Sequence, residues 1–162
     1  MPHVASQEEI DFLHQLETRR GAPVGYRTFS TFYADTDGNL CDYGVFLYEA
    51  AGRFWYQDFE YEPSFFGFKL PRHKEDPKYE MFESSFSPLD VVSFRVVAKA
   101  DVRRCAMGSK SFEKLKIANP VLSFFYETVT EFRLSDGRAL YFQLIDNTVQ
   151  DMIMKTKKEN GK

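Results

Sequence analysis

The run Thr128-Val-Thr-Glu-Phe-Arg-Leu-Ser-Asp-Gly-Arg-Ala-Leu-Tyr-Phe-Gln-Leu-Ile-Asp-Asn-Thr-Val-Gln-Asp-Met-Ile-Met-Lys-Thr-Lys-Lys158 divides into strand, turn, strand and amphipathic helix. Phe124, Tyr126, Phe132 and Leu134 are apolar at even positions, while Glu127, Glu131 and Arg133 take the odd face. On the return, Leu140, Phe142 and Leu144 are again even. Cross-strand partners must share a face, so the connecting loop must hold an odd number of residues. A three-residue loop, Ser135 to Gly137, satisfies this and puts Gly137 in a left-handed position that glycine adopts without penalty. Asp146 and Asn147 then offer capping oxygens to a helix over 146–159. Val149, Met152 and Ile153 form its buried stripe, and Lys155, Lys157 and Lys158 lie at its negative end.

Everything upstream reads as sheet for this unit to close. Ser6 and Glu9 have capping-box spacing, and Ile10, Leu13 and Leu16 recur on one face until Arg19, Arg20 and Gly21, which gives an N-terminal helix over 6–20. The two arginines there complement the helix dipole. From Gly25 the β-branched and aromatic content predicts a three-stranded meander: Thr28–Ala34, Leu40–Glu49 and Arg53–Tyr61. Its first connection, Asp35 to Asn39, is turn chemistry and lacks the ligand spacing of a calcium loop. Further strands are expected at Tyr79–Phe86 and Val91–Val97. Pro88 to Cys105 also admits a helical reading, against which Val91, Val92, Val96, Val97 and Val102 argue for strand. The expected whole is a single domain over 1–162: mainly β with two helices, an antiparallel barrel of about seven strands over 25–145, partly open and capped by the C-terminal helix.

Element order and the hairpin Leu134-Ser-Asp-Gly-Arg-Ala-Leu-Tyr-Phe142 followed by a helix resemble the pleckstrin-homology-like superfold, as seen in GRAM and bacterial pleckstrin-homology modules. The resemblance implies two roughly orthogonal sheets and a ligand site for phosphoinositides or peptides. The phosphoinositide site does not carry over, because the early strands where its cations belong are acidic. Over residues 35–62, Asp35, Asp37, Asp42, Glu49, Asp58, Glu60 and Glu62 face only Arg53.

Two stretches stand out as candidate contact surfaces. Pro63 to Pro77 carries Phe65, Phe66 and Phe68 beside Lys69, Arg72 and Lys74, a composition suited to dipping into an anionic membrane interface or to plugging the end of the sheet. Residues 98–116 form a basic stretch in which Arg103, Arg104, Lys110, Lys114 and Lys116 make a candidate partner face.

The net charge of -3 gives no general attraction to nucleic acid. Cys41 and Cys105 lack metal or redox spacing, and His3, His14 and His73 lack metal-ligand spacing, so neither metal nor cofactor is expected. No nucleophile elbow, phosphate loop or dinucleotide fingerprint occurs. The sequence therefore reads as a cytoplasmic, non-enzymatic interaction or adaptor module with a protein partner. Its alternatives are an anionic-lipid binder using 63–77, or a carrier or enzyme with a site in the barrel mouth.

Overall fold

In a computed structural model, residues 5–58 and 81–161 are described, Tyr43 by its backbone alone. The order is α1 (Gln7–Arg20), β1 (Val24–Asp35), β2 (Leu40–Ala50), β3 (Arg53–Asp58), β4 (Glu83–Phe86), β5 (Val91–Ala98), α2 (Lys99–Ala106), β6 (Thr128–Leu134), β7 (Ala139–Gln143) and α3 (Thr148–Asn160). The seven strands form one antiparallel sheet in the order β4-β3-β2-β1-β7-β6-β5. It is an open sheet with β4 and β5 at its edges, not a closed one.

The C-terminal hairpin has the register demanded by its hydrophobic pattern. Phe132 pairs with Leu140 and Arg133 with Ala139, and Leu134 N–H donates to the Arg138 carbonyl at 2.8 Å. Ser135 to Gly137 is thus a three-residue loop, with Gly137 at φ +90°. At the first turn, Asp35 Oδ1 accepts the N–H groups of Asp37 and Asn39, which is the turn role expected of that acid.

Alternation divides the side chains between two faces. One carries Phe32, Leu47, Phe54, Tyr56, Phe86, Phe132 and Phe142, and α3 lays Val149 and Ile153 against them. The sheet curls around this cluster until Phe86 of β4 and Phe132 of β6, remote in strand order, stack with ring centroids 5.7 Å apart. The opposite face is covered in two pieces. Leu16 of α1 packs on Phe46, Tyr48 and Ala50, and Val102 and Cys105 of α2 pack on Tyr33, Val97, Val129 and Tyr141.

Two expectations need correction. The helix count of two misses α2: the chain runs as strand through Ala98 and then turns helical, so that Val102, read as a strand residue, sits on the buried side of a helix. Ala100, Arg103, Arg104 and Ala106 favour helix, and Val102 and Cys105, three apart, share its inner face. The strand expected to contain Phe124 and Tyr126 begins only at Thr128. Asn119 Oδ1 accepts the N–H groups of Val121 and Leu122, starting a 3-10 turn over Leu122–Phe125 that takes these aromatics out of the sheet. The expected strand ends at Phe59 to Tyr61 and at Tyr79 and Glu80 lie outside the described residues.

Candidate docking face and polar cleft

Of the sequence-predicted contact residues, Phe65, Phe66, Phe68, Lys69, Arg72 and Lys74 lie outside the described residues. The basic stretch is described, and the fold splits it. Arg103 and Arg104 project from the outer side of α2, where Arg104 pairs with Asp101 at 3.3 Å and Lys110 approaches the same carboxylate at 3.6 Å. Lys99 reaches across to Asp42 and Glu127 at 3.4 and 3.5 Å, so part of the basic segment meets the acidic strands within the fold. Lys114 and Lys116 are exposed on the segment that leads back toward β5, and with Arg103 they have no ion-pair partner among the described residues.

That returning segment holds what the sequence reading missed. Ile117 bridges to Val97, and Ala118 N–H donates to the Val96 carbonyl at 2.8 Å, so the chain itself caps one end of the β5 edge. Val121 and Leu122 follow, both exposed, and then Phe124 and Phe125 at 90% and 84% exposure. Large aromatics are seldom left this far in water by a monomer, and such apolar patches mark interaction surfaces. On the adjoining edge strand, Val92 and Val96 are exposed as well. The signal was present in Asn119-Pro120 followed by an apolar run. Because Phe124 and Tyr126 fell in phase with Phe132 and Leu134, the alternation pattern absorbed them into a strand.

The backbone of β5 completes the candidate docking face. The Val96 carbonyl points away from β6, and residues two apart in a strand direct their backbone groups to the same side. Phe94 therefore turns its N–H and carbonyl to the same free edge. A β-bulge between Val91 and Ser93 ends the regular stretch.

A row of polar side chains crosses β5, β6 and β7 on the face covered by α2. Glu131, 1% exposed, accepts from Arg95 Nε at 2.7 Å and from the Tyr141 hydroxyl at 2.7 Å. Burial, with the adjacent carboxylate second, holds the Tyr141 hydroxyl far above the ordinary tyrosine range. Both donors thus meet the Glu131 carboxylate inside the fold.

On the other face, where α3 begins, the sheet carries a cleft of about 290 Å³. Its floor is Val96, Thr128, Thr130 and Phe142, and its rim is Leu144 to Asn147. Gln150 of α3 lines it, 7% exposed, and its Oε1 has no hydrogen-bond partner among the described residues. Asp146 Oδ1 accepts the Thr148 N–H at 2.9 Å, and hydrogen bonding to the Thr148 backbone and side chain holds its carboxyl below the usual range, whereas Asn147 supplies no side-chain cap.

Among the described residues no group of three or more His, Cys, Asp and Glu is placed to hold a metal, and no helix is long and apolar enough to cross a membrane. Burial raises the Cys105 thiol above its ordinary pKa, which opposes the thiolate a nucleophile needs. Comparison with protein-family models, with curated protein sequences and with solved structures finds no match to this chain.

Proposed function

We propose that this chain is a non-enzymatic, cytoplasmic protein-binding module, and that its curled sheet is the partly open barrel of a pleckstrin-homology-like domain. The occupant of its docking face is an extended segment of a partner protein that adds as a strand along β5. Phe124 and Phe125 carry this reading: they stand exposed on the segment that runs from the Ile117–Ala118 cap of β5 to the start of β6, and beyond that cap Phe94 turns its backbone N–H and carbonyl to the edge. The pairing of Ile117 and Ala118 with Val96 and Val97 supports it, since this edge already accepts a strand partner from its own chain. Lys114 and Lys116 next to the apolar run favour a segment with acidic residues flanking its apolar ones.

A second reading has one observation in its favour. Exposed Phe124 and Phe125, on the same connecting segment as exposed Lys114 and Lys116, also suit insertion into an anionic membrane interface. Selection from a displayed library of random ten-residue peptides separates the two. Strand addition requires that selected peptides lose binding when alternate backbone nitrogens are methylated and when Phe124→Ser and Phe125→Ser are combined. Sedimentation with phosphatidylserine vesicles that depends on the same two phenylalanines, together with indifference of peptides to N-methylation, replaces the first reading by the second.

A further inference from the structure

We propose that residues 116–126 are a strap that closes the β5 edge, and that a partner segment adds as a strand only after Ile117 and Ala118 have left it. The inference rests on the β5 reading and adds its regulation: the protein's own chain keeps the free edge short. In the closed form Ile117 bridges to Val97 in antiparallel sense, and Ala118 N–H donates to the Val96 carbonyl at 2.8 Å. Beyond this cap Phe94 turns its N–H and carbonyl to the edge, and the bulge between Val91 and Ser93 then breaks the register. The hydrogen-bonding groups of one residue do not hold an added strand, for which about three residues or more are usual. With the cap gone, Val96 and Ala98 join Phe94 in an alternating row of outward groups, and β5 becomes long enough to template a partner.

Little holds the strap down. Leu115, 4% exposed, anchors one end of the segment in the cluster beneath α2, and Val129 of β6 is buried in the same cluster at the other end. No side chain between these two is buried, and Ile117, Val121, Leu122, Phe124 and Phe125 are exposed. Hydrophobic burial, the main force that keeps an element in place, is therefore missing from the strap itself. Its release breaks the Ala118 hydrogen bond and uncovers hardly any core, while the Lys99 N–H, donating to the Glu127 carbonyl at 3.0 Å, keeps the entry into β6 in place. A partner's apparent affinity is then its affinity for the open edge, reduced by the fraction of molecules that are open. Phe124 and Phe125 ride on the strap, so the aromatic contacts a partner makes are coupled to the opening of the edge.

A disulfide that pins the strap is the test. Directly opposed residues of an antiparallel pair have Cα atoms about 4.5–5.5 Å apart, a separation that a disulfide spans. Val97→Cys with Ile117→Cys, in a chain that also carries Cys41→Ala and Cys105→Ala, is compared oxidised and reduced, and Ala118→Pro removes the N–H that donates to Val96. The probes are peptides selected from the random library on the parent and on the Ala118→Pro protein, kept where backbone N-methylation abolishes binding. The oxidised protein should bind them about tenfold or more weaker than the reduced protein, and Ala118→Pro about tenfold more tightly than the parent. Amide exchange of the parent reads the opening without any peptide: Ala118 should exchange about 100-fold faster than the amides of β6. Equal binding by the oxidised and reduced proteins means that the partner docks over the closed strap and overturns the proposal, as does an Ala118 amide as slow as those of β6. The β5 reading survives both results. Where the cysteine chain does not fold, Ala118→Pro decides, and an affinity no greater than the parent's overturns the proposal. If neither the parent nor Ala118→Pro selects a peptide sensitive to N-methylation, the β5 reading itself fails, and the strap fails with it.

Discussion

Glu131 and Tyr141 stand directly opposite each other across β6 and β7, and the tyrosine hydroxyl donates to the carboxylate at 2.7 Å beneath the cover of α2. Arg95, opposite Glu131 on β5, donates to the same carboxylate. Removing a single member of such a row is costly because it leaves its partners buried and unpaired. Glu131→Ala should therefore destabilise the protein by about 3–5 kcal/mol. Tyr141→Phe, which removes one hydrogen bond to a charged acceptor, should cost about 1.5–3 kcal/mol. Urea unfolding of both variants measures the difference, and equal losses would remove the carboxylate from the centre of the network.

The same hydroxyl gives the protein an alkaline limit. Burial raises the folded-state pKa of Tyr141, and of Tyr33, Tyr48 and Tyr56. A tyrosine raised in the folded state keeps its proton where the unfolded chain has lost it. The stability linked to that difference is complete below about pH 10, the unfolded tyrosine value, and is lost as pH climbs from there toward the folded value. Unfolding followed from pH 8 to 11.5 should show Tm falling steeply above about pH 10. Tyr141→Phe should flatten that fall, and a parallel slope in the variant contradicts the assignment.

Arg20 ties α1 to the sheet. Its guanidinium lies 3.6 Å from the ring centroid of Trp55, its Nε donates to the Tyr48 hydroxyl at 3.0 Å, and its Nη2 pairs with Glu83 of β4. The dipole account of this last-turn arginine is thus only part of its role. Trp55 is the only tryptophan of the chain, so tryptophan fluorescence reports the surroundings of this one ring. Arg20→Ala should shift the emission to the red and cost about 1–2 kcal/mol from the lost cation–π contact and hydrogen bonds. Arg20→Lys should restore only part, because an ammonium cannot stack flat or fork to two acceptors.

The loop parity argument has its own test at Gly137. At φ +90° an added Cβ meets nothing within 4 Å, so substitution strains the backbone without a clash. Gly137→Ala should cost about 1–2 kcal/mol in thermal unfolding. Gly137→Asn should recover a part of this, since asparagine tolerates the left-handed region better than alanine does. A neutral Gly137→Ala contradicts the three-residue loop with a left-handed third position.

These positions also show what a sequence makes legible. The register of β6 on β7 and the caps of α1 follow from contacts a few residues apart, whose chemistry is written locally in Ser135-Asp-Gly137 and in Ser6 with Glu9. Glu131 illustrates the opposite case. Alternation put it rightly on the face away from Phe132, yet α2, which buries that face, arrives from residues thirty positions upstream. The same distance hid the docking face. Phe124 matched the strand phase, and only the capping of β5 by Ile117 and Ala118 shows that its segment turns outward. Gln150 was passed over between Val149 and Met152, because an unpaired amide is visible only once its surroundings are assembled.

Phe124 and Phe125 provide the sharpest separation of stability from function. At 90% and 84% exposure they contribute little to the folded core, so Phe124→Ser and Phe125→Ser together should change unfolding free energy by no more than about 0.5–1 kcal/mol. Two core phenylalanines lost in the same way would cost several times as much, as Phe132→Ser should show. The parent should self-associate at high concentration and the double variant should remain monomeric there, because a solvent-facing aromatic pair favours contact between copies. It should also lose the library-selected peptides. Analytical ultracentrifugation beside thermal unfolding reads both effects on one preparation. If the double variant unfolds more than about 2 kcal/mol more easily, the two rings are core residues of the folded protein and the docking face on β5 loses its principal support.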